Sequence, residues 1–271
     1  VRLFDSHCHF QDPRTLKLAP KLIKESLDLG VTHFAVNGVS ENDWHLVKQM
    51  SETYPCVIPN FGLHPLFISD RTSNWMETLN DFLTATPSAG VGEIGLDKGS
   101  VGKQIDFSQQ VEVFCSQLRL AKALKRPASV HCVRAYGHLL EILKREGPFP
   151  HGVVLHSYLG SAEMVSELSK LGAYFSFSGF LMSLKESKAR KVVKSVPGER
   201  ILLETDSPDG KPPGSVPSVR ELEDDDDMDT DMLNHPANIL AVLGYVAAVL
   251  GMEEKEVAEL SYRNALRVFN I

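Results

Sequence analysis

The chain has 271 residues, 43% hydrophobic and 23% charged, which is the composition of a globular unit with a sizeable core and excludes a disordered, fibrous or mini-protein chain. Its best apolar run, Ile239 to Leu250, is broken by Gly244 and falls short of the roughly 20 residues of a membrane span. The net charge of −7 argues at first sight against a phosphate-rich partner, yet eight acids and no base lie between Glu221 and Asp231, and the remainder carries +1. That block follows Gly210-Lys211-Pro212-Pro213-Gly214-Ser215. Like-charge repulsion with little apolar content predicts a mobile, solvated loop inserted over residues 209–235 of a single domain spanning 1–271. Cys8, Cys56, Cys115 and Cys132 are scattered without a CxxC pair and read as free thiols. Val1-Arg2-Leu3-Phe4-Asp5 carries no basic-then-apolar leader pattern, so a cytoplasmic protein is the expectation.

Along the chain, short β-branched segments alternate with longer amphipathic ones, the signature of parallel strands joined by crossover helices. The strands are predicted at Leu3–Ser6, Thr32–Asn37, Val57–Phe61, Gly90–Glu93, Ala128–His131, Gly152–His156, Tyr174–Ser178 and Ile201–Thr205. Helical patterns fall at Thr15–Leu29, Phe107–Leu124, Ala135–Arg145, Ala162–Leu171 and Glu186–Ser195, and Gly30, Gly147 and Gly172 stand where helices should stop. Eight such units predict a distorted (β/α)8 TIM barrel. Two extra C-terminal helices, Pro236–Leu250 and Glu254–Phe269, are expected across its outside. An open doubly wound sheet would place a glycine-rich phosphate loop after its first strand; Asp5-Ser6-His7-Cys8-His9 is not one, and no nucleotide cofactor is expected.

In a parallel barrel the chemistry sits at the carboxyl ends of the strands. Six of the eight predicted strands finish in imidazoles or carboxylates: Asp5 to His9, Gly62 to Pro65 with His64, Gly92 to Asp97 with Glu93, His131, His156, and Glu204 to Pro208 with Asp206. Strand alternation turns His7 and His9 to one side, so both rings can reach one point. Imidazole nitrogen and carboxylate oxygen together suit a divalent ion. Four histidines and two acids exceed the roughly three protein ligands of one catalytic ion, which points to two ions with Glu93 as the bridging carboxylate. Paired ions imply hydrolysis. His33, His45, His138, His151 and His235 fall elsewhere and read as structural or surface residues, and Cys8 and Cys132 as packing residues turned away from the ligands.

The motifs Asp5-Ser6-His7-Cys8-His9, Gly62-Leu63-His64-Pro65, Gly92 to Asp97, Ser129 to Cys132, Val154-Leu155-His156, Phe175 to Gly179, Leu203 to Pro208 and Tyr262 to Phe269, in this order and spacing, resemble the TatD family of metal-dependent deoxyribonucleases over essentially the whole chain. The resemblance implies a phosphodiesterase acting on DNA, as a 3′-5′ exonuclease on single strands or 3′ ends, with two divalent ions (Zn, Mg or Mn) per chain. It implies that His7, His9, Glu93 and Asp206 hold one ion and that Glu93, His131 and His156 serve the other. His64 would face the scissile phosphate, Glu204 would orient or deprotonate the water, and Asp5 would hold a ligand imidazole. A monomer without membrane partners is expected. The chain departs from the family pattern at Val133, where an arginine is common, at Ser157-Tyr158-Leu159-Gly160 after the sixth strand, and at Leu233-Asn234-His235-Pro236. A metal-dependent amidohydrolase or small phosphoester hydrolase on the same barrel is the alternative reading.

Overall fold

The computed structural model describes residues 1–214 and 233–271, so most of the predicted acidic loop, Glu221 to Asp231 included, lies outside the described residues. Eight strands run in chain order: β1 Leu3–Cys8, β2 Val31–Asn37, β3 Val57–Phe61, β4 Gly90–Asp97, β5 Ala128–Val133, β6 Val153–Leu155, β7 Ala173–Phe177 and β8 Ile201–Leu203. Every neighbouring pair from β1 to β8 is parallel. Between and after them lie α1 Ala19–Asp28, α2 Trp44–Thr53, α3 Trp75–Ala85, α4 Phe107–Leu124, α5 Tyr136–Glu146, α6 Ala162–Lys170, α7 Glu186–Ser195, α8 Ile239–Leu250 and α9 Glu254–Phe269. This is the expected (β/α)8 barrel. β1, β3, β4, β6, β7 and β8 are buried along their whole length, as parallel strands covered on both faces must be. Leu22 and Ile23 of α1 and Leu139, Leu140, Ile142 and Leu143 of α5 supply apolar faces for the outer layer.

The strands end differently from the sequence reading where the backbone does something irregular. β4 runs four residues past Glu93 because a register shift between Val91 and Ile94 absorbs the irregularity and Gly95, at φ 151°, keeps the ladder to β5. A Cβ at Gly95 would fall 1.9 Å from the His131 carbonyl oxygen. Gly95→Ala is therefore expected to lower stability by about 1–3 kcal/mol, read as a drop in thermal midpoint, and to disturb His131. β8 stops at Leu203 because the chain then turns through Asp206 at φ 57°.

The seam between β8 and β1 is closed by this turn. Asp206 N donates to His7 O at 2.9 Å, and His9 N donates to Ser207 O at 2.7 Å. Asp5 ties the same segment down: Oδ1 accepts from Thr205 N at 2.9 Å and Oδ2 from the Thr205 hydroxyl at 2.5 Å. Burial pushes the Asp5 carboxyl up to about 8 against the pull of those bonds. Asp5 thus positions the last strand's end and touches backbone and hydroxyl, whereas the sequence reading expected it to hold an imidazole.

The C-terminal helices correct another expectation. Tyr262, Ala265, Val268 and Phe269 of α9 form one cluster with Phe4, Ala35, Ile58, Val154, Tyr174 and Leu202, one residue from each of six strands. Residues from six strands meet only on the barrel axis, so α9 plugs the amino-terminal opening instead of lying along the outside. Phe269 stacks on Phe4 with centroids 5.2 Å apart. α8 buries Ile239, Val242, Leu243, Val246 and Val249. Among the described residues no single helix is long and apolar enough to cross a membrane.

Candidate metal centre

Above that apolar floor the barrel interior becomes polar. Ser6, Ser129 and Ser176 are buried and small, and Asn37 and Asn60 bond each other at 3.0 Å, which leaves room for large rings over them. At the carboxyl end His7 of β1, His9 just beyond it, Glu93 of β4, His131 of β5, His156 after β6 and Asp206 after β8 come together, as does His64 after β3.

The donors fall into two groups, one on each oxygen of Glu93. Oε2 lies 3.3 Å from His7 Nε2 and 3.2 Å from His9 Nε2. These two nitrogens are 3.1 Å apart, and Asp206 Oδ1 is 3.8 Å from the first and 3.5 Å from the second. Oε1 lies 3.0 Å from His131 Nδ1, 2.9 Å from His156 Nε2 and 3.3 Å from His64 Nε2. Ligands about 2.1 Å from a tetrahedral ion stand about 3.4 Å from one another, so both groups have the spacing of ligand shells.

The far side of each ring decides which nitrogen can act as a ligand. His9 Nδ1 faces the Asn37 carbonyl at 2.8 Å, His131 Nε2 faces Asp97 Oδ2 at 2.8 Å, and His156 Nδ1 faces Glu204 Oε1 at 3.3 Å. All three partners only accept, so the outer nitrogen carries the proton and the inner one presents a lone pair. His7 Nδ1 meets the Ser129 hydroxyl at 3.0 Å, which can also accept. His64 is the reverse case. Its Nδ1 accepts from Leu66 N at 3.1 Å, so a neutral His64 carries its proton on Nε2, aimed at Glu93. It is built to donate. The residues present therefore fit divalent ions on His7, His9, His131, His156, Glu93 and Asp206, with His64 beside them as a hydrogen-bond donor.

Burial favours neutral forms at this depth, but the site's own charges override it selectively. Burial raises Glu93, yet the facing His64, His156 and His7 outweigh it and hold the carboxyl well below its usual range. Asp206 is also lowered, by the His9 hydrogen bond and the imidazoles working against burial. His64 and His7 are depressed, chiefly by burial. Burial also opposes charge on His9, His131 and His156, but the carboxylates of Asp206, Asp97, Glu204 and Glu93 that face them outweigh it and raise all three. Carboxylates held anionic at this depth favour positive charge among them, which a divalent ion would supply in place of those protons.

Three supporting residues escaped the sequence reading: Asp97, Ser129 and Asn37. Asp97 was visible at the end of the fourth-strand motif, but its role depends on β4 continuing to it, opposite Val133 of β5. Its Oδ1 accepts from Gly99 N at 2.6 Å, leaving Oδ2 for His131. Asp97→Ala is expected to weaken metal binding at the His131 side by about 10- to 100-fold, measured by metal titration, without unfolding the barrel. Glu204 is fully buried; Oε1 accepts from Ser157 N and Oγ, both at 2.7 Å, while Oε2 has no hydrogen-bond partner among the described residues. Glu204 lies just past β8, which ends at Leu203, so its direction is set by the turn that follows and not by strand alternation. Cys8 and Cys132 are buried free thiols outside the donor groups. His33 stacks on Phe4, and His235 caps a short turn through Ala237 N. Of the cations near the rim, Lys98 lies 4.0 Å over the Phe107 ring and Arg134 is exposed.

Rings turned lone pair inward around shared carboxylates serve no packing purpose; with this barrel they define a metal-dependent hydrolase. A sequence profile of the family described as TatD related DNase matches residues 4–270, and the chain belongs to that family. It is 28% identical over 269 residues to the uncharacterized metal-dependent hydrolase YabD of Bacillus subtilis, covering 99% of each chain. It is 24% identical over 275 residues to the 3′-5′ ssDNA/RNA exonuclease TatD of Citrobacter koseri, again covering 99% of each. The crystal structure of YjjV, a TatD homologue from Escherichia coli, superposes with a TM-score of 0.88 at 26% identity, covering 100% of this chain and 98% of that one.

Proposed function

We propose that this chain is a two-metal phosphodiesterase that removes nucleotides from the 3′ end of single-stranded DNA. The observation that carries the reading is the division of donors between the two oxygens of Glu93, each facing its own set of nitrogens. His7, His9, Glu93 and Asp206 would hold one ion, and Glu93, His131 and His156 the second. Such ions lower the pKa of water and neutralise charge on a phosphoryl group. The protein's own part is positioning and proton handling. His64, with its Nε2 proton directed inward, would donate a hydrogen bond to a phosphate oxygen or to the departing oxygen while keeping its proton. Glu204 fixes the His156 ring through Oε1 and keeps Oε2 as an acceptor for a water proton. Asp206 doubles as ligand and as orienting carboxylate for that water. The family membership and the named exonuclease relative support DNA as the substrate class.

The test is digestion of 3′- and 5′-labelled single strands and duplexes with added Zn, Mn or Mg, beside a small phosphodiester and a panel of amides. Stepwise loss of the 3′ end is the expected result. Intact DNA alongside turnover of a small substrate would favour the amidohydrolase or small phosphoester alternative. Cleavage of DNA should also fall steeply between about 50 and 200 mM salt, as phosphate binding requires; a flat response counts against backbone recognition.

A further inference from the structure

The described residues include every Phe, Tyr and Trp of the chain, and only two of these side chains are exposed: Phe67 and Phe180, each at 39%. Both lie on short turns at the carboxyl end of the barrel, Phe67 in Pro65–Asp70 after β3 and Phe180 in Gly179–Ser183 after β7. Phe67 stands edge-on to His64 with ring centroids 6.0 Å apart, and His64 reaches Glu93 Oε1 at 3.3 Å. Phe180 lies on the Asp206 side of the site: a methyl placed on Gly210 would stand 3.4 Å from the Phe180 ring and 3.3 Å from the Asp206 Cβ. Two phenyl rings that forgo burial thus flank the two halves of the site. Leu66, the residue before Phe67, lines a cleft of about 340 Å³ together with Asp97, Val101 and Val133, and one base, Arg134, lines it too.

We infer that Phe67 and Phe180 are stacking platforms for unpaired nucleobases on either side of the scissile phosphate, and that they select single-stranded ends. The inference rests on the nuclease reading above. Ions held by the donor groups would bind a phosphate of any nucleic acid and could not tell paired from unpaired bases. An exposed ring can, because a base in a duplex already spends its faces on its neighbours while an unpaired base offers them. Arg134 in the adjoining cleft supplies a cation for the backbone of the strand held there.

The experiment measures binding of the metal-loaded protein to a fluorescent, phosphorothioate single strand that resists cleavage, by anisotropy. Phe67→Ala and Phe180→Ala should each weaken binding by about tenfold, while Phe67→Trp and Phe180→Trp bind at least as tightly as the parent. With abasic sites at the last two 3′ positions, the difference between parent and alanine variants should shrink to under about twofold. Parental affinity in both alanine variants, or an equal loss on the abasic strand, would overturn the inference and leave the nuclease reading standing. The same holds if the substitutions alter only self-association. A parent protein that hydrolyses a small phosphodiester but binds no oligonucleotide sinks the nuclease reading and this inference together.

Discussion

Replacing Glu93 with glutamine is expected to cut hydrolysis by about 10³-fold or more and to lower bound metal from the proposed two ions per chain to one or fewer. The amide has the carboxylate's size, so packing around this buried side chain is retained and the thermal midpoint should move little. Its chemistry is different. One oxygen becomes an NH₂ group, which has no lone pair to give, and must face either the His7–His9 pair at about 3.2 Å or the His131–His156 pair at about 3 Å. The negative charge that would offset the two proposed cations also disappears. The loss should exceed the 10- to 100-fold typical of removing an outer partner such as Asp97. Metal analysis and single-turnover kinetics on the variant check both halves; near-parental turnover with two ions bound would show that Glu93 does not bridge.

The second large effect is at Glu204. Glu204→Gln should lower kcat by about 10²- to 10⁴-fold while metal content stays near the parental value. The reasoning comes from the two oxygens. Oε1 is saturated by Ser157 N, Ser157 Oγ and the His156 ring, so the side chain is fixed and Oε2 is left buried with no partner among the described residues. A buried acceptor without a donor is costly unless something in the working site supplies one, and a water bearing a transferable proton would do so. Glutamine preserves an acceptor for Ser157 but cannot take a proton. A residue that merely oriented His156 would behave differently: metal affinity would fall, and kcat would recover at saturating metal. That recovery would remove Glu204 from proton transfer.

Much of this site was legible in the chain because parallel barrels collect strand ends at one face. Residues that finish different strands can be read as a single set, and His7, His9, Glu93, His131, His156 and Asp206 do meet. The alternation rule was less dependable at irregular backbone. It does not extend to Glu204, since β8 ends at Leu203 and the chain turns at Asp206, and the role of Asp97 was hidden because the fourth strand was expected to end at Glu93, whereas β4 runs on past a register shift. The role of Asp5 was misread for a related reason: the β8–β1 seam lacks a regular ladder and is held by its carboxylate, which sequence spacing does not reveal. The distinction between His64 and the other inward rings depends on whether the outer nitrogen meets a donor or an acceptor, and only coordinates supply that. Likewise α9 reads as a surface helix by its polar face, while its buried face fits a barrel opening whose inward residues come from six separate strands.

The most direct measurement is anomalous diffraction from crystals of the metal-loaded protein, with elemental analysis of the same sample. Two peaks should appear, separated by about 4 Å. One should lie among His7, His9 and Asp206, the other between His131 and His156, with a Glu93 oxygen on each. A single peak, or metal bound away from Glu93, would contradict the account.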